Sequence, residues 1–448
     1  MFRSISGDDL VATFVALRCP ITTRSLALGE DFLRLIFPER PAQHQGRDPS
    51  LGEVLEEVVA DIDAAHPLSK VVIPLTAGLD SRAVLGAALR VVGRDRILCF
   101  TVGERRNEEV VAAKEVCRRN GLDHVTVDPG SYPWDAEAMV AHAEESFRKY
   151  RAFCSVENPL FASFRDHCRR IYGQDYYMLS GFMGDVGSGG GLIAPEMGAG
   201  VEPALEEFVL QNRTSRDYRP DASLADTISA FCERMHDEIR ERGYPGITHF
   251  DVLEIGLEMA LRLRGGLHGG DIVYAPHADP RIMSWWYGQI PRERMGQVRY
   301  RQELAGRYGE VFCLVDDKVR RAPAFVKRQR SLGERVVNKV VNMVRGGLGW
   351  GRGTSERGDL RTDTRKRDLF VGLVEEFGQR RLVDLDTNAL LEAFSQQPMG
   401  RSLALVKSVA TVEMHIRAGN VDRLRSNAPL AGGEAGMPPS RRPLARIA

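Results

Sequence analysis

The chain has no surplus of either charge: across 448 residues, 61 Lys and Arg stand against 61 Asp and Glu. Without a global field to hold a polyanionic backbone, nucleic acid is not an expected partner. Seven cysteines (Cys19, Cys99, Cys117, Cys154, Cys168, Cys232, Cys313) are scattered and include no C-x-x-C pair. That odd, dispersed set argues against a disulfide framework and against a structural zinc site. No stretch reaches the roughly 18 apolar residues of a membrane span. The N-terminus, MFRSISGDDLVATFVALRC, also lacks a basic region followed by a long apolar run, so a cytoplasmic protein with no transmembrane segment is expected. Lysine is scarce, with eight residues and none between Lys149 and Lys318, which limits the lysines available for chemistry.

What the chain does have is a hydrophobic pattern that changes period at turn signals. Residues 71–75 (VVIPL) are a short apolar run, TAGLDSR follows, and residues 83–92 have helical spacing. The reading is strand, loop, helix. Residues 96–103 read as a second strand, 107–121 as a helix with a left-handed end at Asn120-Gly121, and HVTVDP as a third strand. DYYMLSG, residues 175–181, is a later strand that runs into a Gly-rich loop. Wholly apolar strands alternating with helices imply an α/β fold, a parallel sheet with helices on both faces, and ligands on such sheets bind at the carboxyl ends of the strands.

The predicted organisation is a linker-like segment over 1–67, an α/β nucleotide-binding core over 68–195, a mostly helical region over 196–425 and a disordered tail over 426–448. Within the third part, residues 318–367 carry fifteen Lys and Arg against four Asp and Glu, and Val336, Val337, Val340, Val341 and Val344 share one helical stripe. Such a stripe is either a core helix followed by a solvated loop, or a basic amphipathic helix that meets an anionic surface or a partner.

TAGLDSR lies between a buried strand and a helix start, where backbone N–H groups and the helix dipole favour an anion. Small residues at Thr76, Ala77 and Gly78 let the backbone approach a phosphate. Asp80 makes sense beside a phosphate if a divalent cation lies between them, and Ser81 adds a hydroxyl. The plain alternative is an ordinary turn in which Asp80 is a cap. No G-x-x-x-x-G-K-[ST] occurs, so this is not a Walker loop.

The segment V-I-P-L-T-A-G-L-D-S-R resembles the pyrophosphate loop S-G-G-x-D-S of the N-type ATP pyrophosphatases, in particular the asparagine synthetase-like branch. L-S-G-F-M-G-D-V-G-S-G-G, residues 179–190, is similar to the S-G-x-G-x-D-E loop of that branch. Y-A-P-H-A-D, residues 274–279, followed by Q-I-P, residues 289–291, is similar to its V-P-F-L-D and L-P segments, with Pro276 and Pro291 spaced as in the family. The resemblance spans roughly residues 50 to 320 and implies the PP-loop ATP pyrophosphatase fold followed by a mostly helical acceptor-side region. It implies pyrophosphate contacts for Thr76, Gly78, Asp80 and Ser81, and adenylate contacts for Leu75, Val102, Ser180 and Gly181. Asp80 and Asp185 would hold magnesium (Mg2+). With Arg264, which would clamp a phosphate or, as the plain alternative, make an ordinary salt bridge, and Arg301, they make up the implied catalytic set. The implied cofactors are ATP and magnesium. The implied reaction adenylates a small-molecule carboxylate, releases pyrophosphate, and lets ammonia or an amine displace AMP.

The departures are as informative. Position 2 is Phe2 where the family's glutaminase nucleophile is a cysteine, and too few residues precede Val71 for that domain, so glutamine hydrolysis is not expected. Phe182 and Val186 replace two carboxylates of the second loop. No lysine occurs in Val298-Arg299-Tyr300-Arg301, where the family has one, and Arg301 keeps only the charge. Aspartate is therefore not the expected substrate. Glutaminase-free members of this branch occur in surface-polysaccharide and natural-product biosynthesis. His268, Asp271 and His277 are candidate bases near the acceptor side, with structural hydrogen bonding as the plain alternative. Two readings stand: an amide-forming ligase, or a nucleotide-binding or scaffold protein of the same fold. The tRNA-thiolating and NAD-synthesising relatives would lack the loop at Ser180 to Asp185.

Overall fold

The computed structural model describes residues 10–19, 21–39, 49–105, 107–128, 135–150, 159–173, 175–192, 200–214, 219–260, 273–312, 364–383, 385–396, 402–425 and 446–447. Arg264, His268 and Asp271 lie outside them, as do most of the basic segment 318–367 with its valine stripe, and residues 426–445 of the tail.

Five parallel strands form the centre: β1 (Lys70–Pro74), β2 (Ile97–Val102), β3 (Asp123–Val127), β4 (Tyr176–Leu179) and β5 (Val273–Tyr274). Their spatial order is β3-β2-β1-β4-β5, and the two-residue β6 (Arg446–Ile447) pairs antiparallel with β5. The first four strands fall where the apolar runs placed them. β5, only two residues long, leaves no periodic signal to read.

Side chains alternate across the sheet, as strand geometry requires. Val71 and Ile73 join Val58 and Ile62 of helix α3 (Leu51–Ala64) and Ala83, Val84 and Ala87 of helix α4 (Leu79–Val91) in one cluster. Val72, Leu98 and Phe100 face the other way, with Phe164 and Cys168 of the helix Pro159–Tyr172. Helices therefore cover both faces. Helix α5 (Glu108–Asn120) begins at Asn107, whose side chain accepts from the Glu109 N–H, and ends at Gly121 with φ +64°.

Within the segment 1–67, residues 21–35 (ITTRSLALGEDFLRL) contribute to helix α2 (Thr23–Ile36). Thr22 and Ser25 make a reciprocal capping box, and buried Ser25, Gly29, Phe32, Leu33 and Ile36 follow helical spacing. A second apolar cluster joins helix α1 (Leu10–Leu17) and the helix Ala136–Tyr150 to the C-terminal helices Thr364–Arg380, Thr387–Gln396 and Ser402–Arg417. Its polar pin is Arg380, which donates to the fully buried Glu413 carboxylate. Among the described residues no helix is long and apolar enough to cross a membrane.

Candidate active site

β1 and β4 are adjacent, but β2 and β3 build the sheet away on one side and β5 on the other. The chain therefore diverges beyond the carboxyl ends of β1 and β4 and leaves a crevice there. Residues 76–81 follow β1 and residues 180–190 follow β4, so the two motif loops meet at this point.

The first loop is braced internally. Leu75 donates its N–H to the Phe100 carbonyl at 2.8 Å and accepts from the Thr101 hydroxyl at 2.6 Å, which ties the end of β1 to β2. Thr76 N–H donates to Ser81 Oγ at 3.1 Å, the two hydroxyls are 3.1 Å apart, and Gly78 N–H donates to Thr76 Oγ1 at 3.0 Å. Gly78 caps α4 without a side chain, which leaves the positive end of the helix dipole open to an anion. Arg82 is buried beneath, its Nε donating to the Gly78 carbonyl at 3.0 Å and its guanidinium 4.8 Å above the Phe312 ring. Val102 ends β2, half-buried.

In the second loop, buried Ser180 donates its N–H to the Tyr274 carbonyl at 2.8 Å, and its Oγ accepts from Phe182 N–H. Met183 takes a left-handed φ of +75° with its side chain locked in the core, then one helical turn runs over Gly184–Gly187. Asp185 exposes its side chain. One carboxylate oxygen accepts from Val186 N–H at 3.0 Å, and its carbonyl takes Gly190 N–H and the Ser188 hydroxyl.

The loops touch backbone to backbone. A Cβ on Gly181 would lie 2.5 Å from the Ser81 nitrogen, and one on Gly184 would lie 2.6 Å from the Asp80 carboxyl. This contact brings Asp80 and Asp185 within each other's field. Burial, followed by the Asp185 charge, pushes the Asp80 carboxyl up to about 8, while Tyr300 and Arg82 pull it down. Its Oδ1 is enclosed without a hydrogen-bond partner. Burial also lowers Arg82 to about 10.

Further groups lie around Asp80 and Asp185. His277 is fully buried, its Nε2 3.3 Å from the Asp80 carbonyl, and burial lowers it to about 4, so it is a neutral imidazole braced on α4. Tyr300, on the helix Val298–Arg307, is fully buried, and burial followed by the Asp80 charge holds its phenol well above the ordinary range. Arg301 follows on that helix, half-buried, with an enclosed Nε that has no partner. In the helical region, burial and then the Asp185 charge hold Glu254 well above the ordinary carboxylate range. Glu254 begins a π-helical turn, Glu254–Met259. Behind it, the fully buried Arg294 grips Asp251 at 2.7 Å and donates to the Gly187 and Gly246 carbonyls. Arg294 thereby fixes the second loop to the helical region.

Sequence reasoning missed Tyr300, Glu254, Arg82 and the Arg294–Asp251 pair. Arg82 had a local signal, lying four residues beyond Gly78 in the motif. Tyr300 stood in the very segment searched for a lysine. Nothing in the spacing links Glu254 or Arg294 to the loops, because a tertiary contact places them there.

Magnesium, as the resemblance implies it, takes six oxygen ligands and retains water and phosphate among them. Asp80 Oδ1, enclosed and unpartnered, and the exposed Asp185 carboxylate suit such an ion. Among the described residues no group of three or more His, Cys, Asp or Glu could hold a metal unaided. The ion would therefore need phosphate oxygens to complete its shell.

Fold and loops together define an α/β protein of PP-loop-like type. No family model matches the chain. One stretch of 73 residues, 16% of the chain, is 36% identical to 7-cyano-7-deazaguanine synthase of Chromohalobacter salexigens and spans 29% of that protein's length. That relative is a synthase but not an asparagine synthetase, so the likeness supports the broader PP-loop class rather than the specific branch.

Proposed function

We propose that the chain is an ATP-dependent, AMP-forming ligase that joins a small-molecule carboxylate to ammonia or an amine. The observation that carries this reading is the meeting of the two loops at the sheet's switch point, with Asp80 and Asp185 converging beside the open N-terminus of α4. The partial likeness to a synthase supports an ATP-using synthase or ligase in general, and the amide chemistry is the finer part of the proposal.

In this reading a substrate carboxylate oxygen attacks the α-phosphorus, the bond to the β-phosphate breaks, and pyrophosphate leaves. The amine nitrogen then attacks the acyl carbon, AMP departs, and the nitrogen sheds its proton. Thr76, Gly78, Ser81 and the first turn of α4 receive the pyrophosphate, while Leu75, Val102, Ser180 and Gly181 line the adenylate side. Bound magnesium would neutralise charge on the leaving group. Asp80 and Asp185 would hold it, and Arg301 would add positive charge to the acceptor side.

The test incubates the protein with ATP, magnesium and a panel of carboxylates, with ammonium or amines. AMP and pyrophosphate should appear together and depend on the carboxylate. Release of ADP would sink the proposal. A second reading, a nucleotide-binding or scaffold protein, draws on Phe182, an apolar side chain packed against the core where an acid/base carboxylate was sought. ATP binding with no pyrophosphate release across the panel would favour it.

A further inference from the structure

His124, on β3, lies two strands away from β1 and its motif loop, and reaches them through hydrogen bonds. The buried Thr101 hydroxyl on β2 is 2.6 Å from the Leu75 carbonyl and 2.9 Å from His124 Nε2. A hydroxyl has one hydrogen and a carbonyl can only accept, so that hydrogen goes to Leu75. Thr101 Oγ1 must then accept from His124, which fixes the imidazole as the tautomer with its proton on Nε2. The other nitrogen, Nδ1, is enclosed and has no partner, as suits an atom that carries no hydrogen. Burial, with the Lys114 charge second, lowers His124 to about 4, so at neutral pH the ring holds one proton.

The hydrogen bonds continue into the loop. The Leu75 carbonyl and the Thr76 N–H belong to one planar peptide unit. Thr76 N–H donates to Ser81 Oγ at 3.1 Å, and Thr76 Oγ1 accepts from Gly78 N–H at 3.0 Å. Turning that plane would withdraw the carbonyl from Thr101 and the N–H from Ser81 together. We propose that His124 is a positioning residue of the loop at residues 76–81: its Nε2–H holds the Thr101 hydroxyl in the orientation that clamps the Leu75–Thr76 peptide, and so keeps Thr76 and Ser81 in place for a phosphate group. This rests on the reading of that loop as an anion site.

The test measures binding of ATP with magnesium by calorimetry in His124→Phe, Thr101→Val and the double variant, with each unliganded melting temperature measured alongside. Each single variant should raise the dissociation constant about fivefold, the scale of one neutral hydrogen bond. The double variant should be no weaker than Thr101→Val alone, because both changes break the same link. His124→Gln, which can offer an amide N–H in place of Nε2–H, should recover most of the affinity; a Gln variant as weak as Phe counts against the donor role. A merely structural role lowers the melting temperatures and leaves the dissociation constant unmoved. That result, or additive losses in the double variant, would overturn the inference while leaving the nucleotide site standing. Wild-type protein that binds no ATP would overturn both. One measurement needs no substitution: nitrogen NMR of the wild type at neutral pH should show His124 protonated at Nε2 and bare at Nδ1, and the opposite tautomer would overturn the relay.

Discussion

Asp80 is the residue on which the site turns. Its folded carboxyl titrates near 8 against 3.8 for an ordinary aspartate. Between those values the unfolded chain loses its proton while the folded chain keeps one, so this group's contribution to stability falls as pH rises from about 4 to about 8. Asp80→Asn removes the titration. Without ligand, the variant should melt above the wild type at pH 8, by on the order of a few kcal/mol in stability, with the difference fading toward pH 4. A wild-type melting curve that rises across that interval relative to the variant would contradict the assignment. Asp185 is different in kind, an exposed carboxylate whose hydrogen bond from Val186 an amide oxygen can also accept. Asp185→Asn should weaken magnesium-dependent ATP binding and leave the unliganded melting temperature almost unchanged. A sharp drop in that temperature with intact ATP affinity would make Asp185 a structural cap. The motif residues were legible because their geometry is local, six residues from Thr76 to Ser81. Tyr300 and Glu254 were not, since only folding brings them to Asp80 and Asp185.

At the level of elements, the contact between the loop after β1 and the loop after β4 sets the site. Gly181→Ala places a methyl group against the Ser81 nitrogen and the Asp80 carbonyl carbon, both backbone atoms that cannot swing aside. The loops must part, at a cost of about 1–3 kcal/mol, and ATP should no longer stabilise the variant. Gly306→Ala is the control: nothing lies within 4 Å of the added Cβ, and alanine suits a helix interior, so stability should hold or rise. Parity between the two variants in a thermal melt would refute the close-packed junction. The elements most legible in the sequence were those with unbroken apolar runs bounded by turn residues, such as β1 and β2, and the capped helix α5. The π-helical turn at Glu254 had no signature, because Glu254–Met259 continues an ordinary helical pattern in sequence.

For the whole molecule, ATP with magnesium binding only the folded state should add about 2.7 kcal/mol at a hundredfold excess over the dissociation constant. A melting temperature indifferent to ATP-magnesium, in protein shown to be folded, would remove the nucleotide site. The general architecture was readable from alternation of period alone, while the order of strands was not, because periodicity carries no record of which strand lies beside which. That order has a consequence in time. β1 must wait for β4 to cover one edge, and Asp80 waits for Tyr300, so the parts of one crevice leave the ribosome on the order of tens of seconds apart at usual rates of synthesis. Until then the nascent chain carries an apolar strand with a bare edge and a loop at residues 76–81 with nothing to close it. A growing chain halted before Tyr300 is therefore expected to present this bare edge to chaperones and to leave the crevice incomplete.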